Sequence, residues 1–214
     1  MQWSNKILFY LLILFVFLTH TEFVNAETSI STCHALHDAI TADGGLTGEY
    51  VLANDITCTD AGLLAENAET LLTGNDFNFV GNFTGSLDGN GNKITLEFDF
   101  DSTDNVGLFQ SIGAGASVTN LEVAGTIDIS SEGDITTNIG LLAGQVTDAT
   151  LQNIEVSGTI TAEVVDGSSS IESVGLLIGQ INSGAGTLSI SDITLSDGTI
   201  TLSQVVAEAG ELYS

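Results

Sequence analysis

Asn120-Leu121-Glu122-Val123-Ala124-Gly125-Thr126-Ile127 returns 33 residues later as Asn153-Ile154-Glu155-Val156-Ser157-Gly158-Thr159-Ile160. It returns again as Asp192-Ile193-Thr194-Leu195-Ser196-Asp197-Gly198-Thr199-Ile200, with one residue inserted. A second segment precedes each copy in fixed order: Asn105-Val106-Gly107-Leu108-Phe109, then Asn138-Ile139-Gly140-Leu141-Leu142, then Ser173-Val174-Gly175-Leu176-Leu177. The glycines of these pentapeptides stand 33 and 35 residues apart. Self-similarity at a fixed period marks a repeat architecture, in which one supersecondary unit buries its apolar face only against its neighbours.

Within each unit the elements read as strands. Leu121-Glu122-Val123 and Thr159-Ile160-Thr161-Ala162 alternate apolar and polar residues, the period of a half-buried strand, and β-branched residues suit a pleated surface. Ser130 to Asp134 and Asp166 to Ser170 carry the small, polar residues of turns. Proline is absent, as expected where strands pair on both sides and each backbone N–H is needed. Short strands at a fixed repeat without helical crossovers predict an all-β solenoid, with like positions of successive units stacked. Asn120, Asn153 and Asp192 would then form a ladder at a turn. The alternative is an immunoglobulin-like sandwich, which does not ask for one pentapeptide every 33 to 35 residues.

Outward from the repeats, the chain divides into residues 1–26, 27–75 and 76–214. Met1 to Ala26 reads as a secretory signal peptide: Lys6 is the basic start, Ile7 to Leu18 the apolar run, and Val24-Asn25-Ala26 the cleavage site. That run is too short to cross roughly 30 Å of hydrocarbon, and Gly175 and Gly179 break the only later apolar stretch, so no stable membrane span is expected. Residues 27–75 read as an N-terminal cap and disulfide loop. Ser31-Thr32 can cap a short helix with Cys33, Leu36 and Ile40 on one face, Gly44-Gly45 breaks it, and Tyr50-Val51-Leu52 and Ile56 read as edge strands. Such a helix would cover the open end of a solenoid. Thr59 to Gly74 has no clear period and reads as a loop or insertion. Residues 76–214 hold about three repeats of 33–36 residues. No cap is evident after the third, which points either to self-association through that end or to a truncated gene.

Cys33 and Cys58 are the only cysteines, and an even pair in a secreted chain predicts a disulfide. His34 and His37, beside Cys33, lack a fourth metal ligand and read as an exposed helix face. Of 28 acidic residues only Glu22 precedes Glu27, which leaves 27 carboxylates against a single Lys93 and no arginine. Such a surface repels phosphate backbones, so nucleic acid is excluded as a partner, and anionic membranes or acidic polymers need bridging cations. Asp88-Gly89-Asn90-Gly91-Asn92 alternates oxygen donors as calcium loops do, making Asp88, Asn90 and Asn92 candidate ligands, with Asp99, Asp101 and Asp104 as further donors. It lacks the glycine and glutamate that complete an EF-hand, and a glycine turn between strands explains it equally well. Asn82-Phe83-Thr84 is an N-glycosylation sequon.

Two passages carry a family resemblance. Cys33 through Cys58, with Tyr50-Val51-Leu52-Ala53-Asn54-Asp55-Ile56, is followed by Phe83-Thr84-Gly85-Ser86-Leu87-Asp88-Gly89-Asn90-Gly91-Asn92-Lys93-Ile94. This order is similar to the opening of GLUG-motif proteins, which include β-helix regions of bacterial surface adhesins and of IgA-peptidase-type proteins. The units around Gly107, Gly140 and Gly175 resemble the GLUG repeats themselves, so that the likeness spans Ser31 to Ile200. It implies a right-handed parallel β-helix of the pectin-lyase-like kind, display at a cell surface or secretion, and adhesive roles. The chain departs from that group in being short, with no visible sorting signal or peptidase domain.

Catalytic constellations are missing from the sequence. Lyases on this scaffold need a basic residue, and only Lys93 is on offer, within a predicted turn. With 27 carboxylates a hydrolase pair is always present and carries little weight. No HExxH zinc site, G-x-S-x-G elbow or catalytic cysteine occurs. Thr159-x-Thr161 and Thr199-x-Thr201 recur at one repeat position, with Thr126-x-Asp128 as the imperfect first copy. Stacked on a flat face, such rows resemble those of ice-binding proteins. The expectation is therefore a non-catalytic module, secreted or at the cell surface, that binds an extracellular glycan or surface protein, with calcium as a bridging ion. A structural matrix component is the leading rival, ahead of a polysaccharide-active enzyme and an ice-binding protein.

Overall fold

Alternating Ile, Val and Thr side chains draw the second repeat into a strand of 15 residues, β11 (Thr150–Val164). The computed structural model describes residues 27–42, 45–59, 79–100, 105–131, 136–164, 170–182 and 184–204. The expected signal peptide, residues 60–74 of the expected loop, most of the two turn segments, and Asp101 and Asp104 lie outside them. Before β11 come β1 (Thr28–Ile30), helix α1 (Cys33–Thr41), a 3-10 turn (Gly45–Thr47), β2 (Glu49–Leu52), β3 (Ile56–Thr59), β4 (Phe79–Phe83), β5 (Ser86–Asp88) and β6 (Lys93–Phe100). Next are β7 (Phe109–Ile112), β8 (Ser117–Ser131), β9 (Thr136–Ile139) and β10 (Ala143–Thr147). After β11 follow β12 (Ser170–Val174), β13 (Ile178–Asn182) and β14 (Ser189–Gln204).

The fold is all-β, and every strand pair among the described residues is parallel. One sheet runs β1-β2-β5-β8-β11-β14, with β3 beside β6 and β6 beside the second half of β8. A second runs β4-β7-β10-β13, and a third pairs β9 with β12. The chain thus visits the sheets in one order on successive passes: β9, β10, β11, then β12, β13, β14. Parallel pairing overturns the sandwich alternative, which needs antiparallel neighbours.

Register makes the interior a set of columns. Tyr50, Leu87, Val118, Leu151 and Ile190 stand over one another, as do Ile56, Ile94, Val123, Val156 and Leu195. The last pass is longer than the expected 33–36 residues: Leu151 pairs with Ile190, 39 positions on. The extra length lies between β13 and β14, a connection held where Gly186 N–H donates to Asp148 Oδ2 at 2.7 Å. The single inserted residue read from the sequence is a β-bulge, with Asp197 at φ 45° and the pairing shifting between Ser157 and Gly158.

Repeated glycines are fixed by the same stacking. Gly125 and Gly158 have φ of 140° and 144°, and a Cβ on either would collide with a backbone oxygen of the preceding pass, that of Leu96 or of Gly125. Leu96 opens that column, and at the two glycines above it the approach of the backbones leaves no room for a Cβ.

The N-terminal end is covered. Thr32 Oγ1 accepts from Ala35 N–H at 3.1 Å and starts α1, whose Cys33, Leu36 and Ile40 are buried against β1, β3 and β4. Cys33 and Cys58 form the disulfide, with Cα atoms 5.2 Å apart, tying α1 to β3. The chain-entropy account of a loop of this size gives about 3 kcal/mol of stabilisation. Tyr50 hydroxyl donates to Ala39 O at 3.0 Å, burial pushes its pKa up, and its ring leads on to Phe83 and Phe109, whose centroids are 4.7 Å apart. Two expectations need correction. β2 is not an edge, because β1 pairs on one side and β5 on the other. His34 and His37 are not an exposed face: both are half-buried, and His34 Nε2 lies 3.1 Å from Asp38 Oδ2.

Gly158→Ala is expected to cost about 2–4 kcal/mol, because left-handed strain adds to a backbone clash. Gly91→Ala, at φ 77° with nothing within 4 Å of the new methyl, should cost about 1 kcal/mol. Chemical denaturation of both variants checks the order. Replacing Cys33 and Cys58 together by Ala should lower stability by about 3 kcal/mol in the same assay.

Candidate functional site

The first sheet bends once on each pass, at a residue in the left-handed region. Asn90, Asn120, Asn153 and Asp192 have φ of 52°, 52°, 54° and 55°. Asn and Asp tolerate this conformation best among residues with a Cβ, which explains their recurrence there. Asn153 Nδ2 donates to Asn120 Oδ1 at 2.9 Å, and Asn120 Nδ2 donates to Asp88 Oδ1 at 3.1 Å. The predicted ladder of Asn120, Asn153 and Asp192 is thus brought onto one line. Its top is looser, with Asp192 Oδ2 accepting from Gln152 Nε2 at 3.5 Å.

Asp88 begins this ladder, and its neighbours make a turn. Asp88 Oδ1 also accepts from Asn90 N–H at 2.8 Å, and Asn92 N–H donates to Gly89 O at 2.8 Å. Asn92 turns its amide Nδ2 to Leu52 O at 3.0 Å. Of the three calcium candidates, Asp88 and Asn92 thus bond through their side chains to neighbouring passes, and Asn90 closes the turn through its backbone N–H. Among the described residues no group of three or more His, Cys, Asp or Glu side chains is placed to share a metal ion.

Beside the ladder a second column runs Lys93, Glu122, Glu155, Thr194 in register. Lys93 Nζ lies 2.6 Å from Glu122 Oε1, and that hydrogen bond and charge raise the lysine pKa. Glu155 Oε1 accepts from Ser196 Oγ at 3.1 Å. Between the columns lies a groove of about 170 Å³, lined by Asn120, Glu122, Asn153, Glu155, Asp192 and Thr194. It is smaller than the roughly 300–1,000 Å³ of pockets that engulf a ligand, so it suits one edge of an extended molecule. Another hollow, of about 200 Å³, lies over the disulfide, beside Ser31, His34, Asp55 and Thr57.

The threonine rows form in register: Thr126, Thr159 and Thr199 in one column, and Asp128, Thr161 and Thr201 in the next. Glu97 pairs with Thr126 below, so the rows start on carboxylates and only the last two passes present Thr-x-Thr. Asn82 is exposed on β4, where its Oδ1 accepts from Ser111 Oγ at 3.3 Å. Among the described residues, no helix is long and apolar enough to cross a membrane.

A second ladder escaped the sequence reading. Asn138 is 4% exposed, donates through Nδ2 to Asn105 Oδ1 at 2.8 Å, and accepts from Ser173 Oγ at 2.5 Å. These residues open the three repeated pentapeptides, so the repeat itself was the available signal. Serine in the third copy hides the kinship by side chain, although its hydroxyl serves the same line.

No family model matches the sequence, no curated protein matches it, and no solved structure matches the fold.

Asn138→Ala should destabilise by about 1–3 kcal/mol, since Ser173 and Asn105 lose a buried partner. Asn153→Gly, on the exposed ladder and free of the left-handed strain that alanine would add at φ 54°, should cost less than about 1 kcal/mol. Thermal unfolding of the two variants side by side checks the difference.

Proposed function

We propose that the chain is a secreted or cell-surface module with a right-handed parallel β-helix, non-catalytic, that recognises an extracellular glycan or surface protein along its asparagine groove. The observation that carries this is the groove itself. Each of three successive passes adds one amide or carboxylate (Asn120, Asn153, Asp192) and one further acceptor (Glu122, Glu155, Thr194) to an open line. A linear polymer of hydroxyl or amino groups meets such a line with one set of hydrogen bonds per pass. Visiting three parallel sheets in fixed order supports the β-helix, and the likeness to GLUG-motif sequences supports a right hand and a place outside the cell.

The described aromatic rings, Tyr50, Phe83 and Phe109, are all buried. No aromatic residue is among those that line the groove, so a sugar there is held by hydrogen bonds and charge rather than by stacking. Lys93 supports the non-catalytic reading: a lysine kept protonated by Glu122 is a poor base for abstracting a sugar proton. The acidic surface favours neutral or cationic ligands, and anionic ones only through calcium. A structural matrix component is the second reading, favoured by the apolar side chains left exposed on β13 and β14.

The test is binding of residues 27–214 to a panel of neutral, amino and acidic glycans and to whole cells, with calcium and then with chelator. Selective binding is expected, and Asn153→Arg, which fills the groove, should weaken it at least about tenfold, or 1.4 kcal/mol. Silence across the panel from folded protein overturns the recognition role, and unchanged binding by Asn153→Arg overturns the groove.

A further inference from the structure

The two ends of the molecule are unlike. At the first end α1 lies against β1, β3 and β4 and buries Leu36 and Ile40 completely. At the other end, β14 pairs with β11 along one side, and among the described residues nothing pairs with the other. The columns show what is missing. Val146, Leu151, Val156, Ile160 and Ala162 are 0% exposed, whereas their partners one pass on, Ile181, Ile190, Leu195, Ile200 and Leu202, are 54%, 38%, 61%, 42% and 58% exposed. Each of these is an interior residue by register. A strand edge of 16 residues beside an apolar surface is a template for another strand. Natural edges are usually blunted by lysine, proline or inward-pointing charge, and Ser189–Gln204 contains no lysine or proline.

We infer that this end is a dimer interface, in which β14 pairs antiparallel with β14 of a second copy about a two-fold axis. Three observations select that occupant. Elsewhere in the molecule such an edge is covered by a strand of like sequence, as β14 covers β11 with Ile193 on Ile154 and Ile200 on Ile160. Head-to-tail stacking is blocked, because α1 covers the only other end, and a tail-to-tail contact uses the same patch twice and closes. Charge sets where two copies with a formal net charge of −26 can meet. Over Ser170–Gln204 the carboxylates are only Glu172, Asp192 and Asp197, fewer than the four described at the capped end over Glu27–Thr59, so these strands repel a second copy less than that end does. Pairing would cover the five exposed side chains and give the free N–H and C=O groups of β14 partners. The inference does not depend on the groove, which faces sideways from the Asn153 and Glu155 columns.

The experiment is sedimentation equilibrium of residues 27–214 over a range of concentrations, at low and high sodium chloride. A monomer–dimer equilibrium is expected, tightening about fivefold or more with salt, because screening removes repulsion between like-charged copies. A basic partner, by contrast, is bound less tightly as salt rises. Leu195→Lys with Ile200→Lys, both on exposed positions, should abolish the dimer while circular dichroism and the unfolding midpoint stay near those of the parent. Ser196→Cys, near the strand midpoint, should oxidise to a covalent dimer, and Thr28→Cys at the capped end should not. Four results would overturn the inference: a monomer at all concentrations and salts, unlimited polymers, a dimer that survives the double lysine change, or dimers seen only after residues 205–214 are removed. The last would make that tail the occupant.

Discussion

Everything in this molecule hangs on parallel register, the requirement that each strand be at once the cover of one neighbour and the template of the next. A parallel strand buried between two others sends the N–H and C=O groups of alternate residues to its two neighbours, so every donor is needed and no room is left for proline. Its side chains must also match those above and below, because they share a column about 4.8 Å apart. Hence Ile over Ile, Val over Val, and asparagine over asparagine. At Gly125 and Gly158 the backbones come so close that only the smallest residue is admitted.

This constraint decides how much could be read in advance. The strand positions and the exposed ladder were legible because residues 105–200 state the same unit three times, and repetition turns weak local propensity into a strong pattern; the disulfide was legible because Cys33 and Cys58 are the only cysteines. Legibility faded where repetition did. The earlier passes share the register but little of the sequence, so nothing in residues 88–92 shows that Asp88 anchors the ladder that Asn120 and Asn153 continue. β1 is three residues long and carries no motif, so β2 was taken for an edge. The buried line Asn105, Asn138, Ser173 mixes amide and hydroxyl, and its significance lies in burial, which the sequence does not state. His34 and His37 look polar and exposed on a helical wheel, and only the packing of α1 against β1, β3 and β4 encloses them.

The charge pattern complements the packing. Carboxylates crowd a chain that has one basic partner past residue 26, and that partner, Lys93, is engaged by Glu122 on the next pass. Two stacked glutamates, Glu122 and Glu155, would repel, and the contacts they make differ: one takes a lysine and the other a serine hydroxyl. What faces the solvent along the groove is therefore a row of acceptors already oriented by their neighbours, so that the recognition proposed above would cost less entropy.

The bulge at Asp197 says something about how such a chain can change length over generations. One additional residue has been taken up at a single left-handed position, and pairing resumes at once with Gly198 on Gly158 and Thr199 on Thr159. In an ordinary strand an insertion inverts every side chain beyond it, exchanging inside for outside. Here the frameshift is absorbed locally, as the longer connection before Ser189 absorbs a larger one. A chain of this fold can therefore take up insertions at its corners and bulges while the columns between them stay in phase, as its own third repeat does.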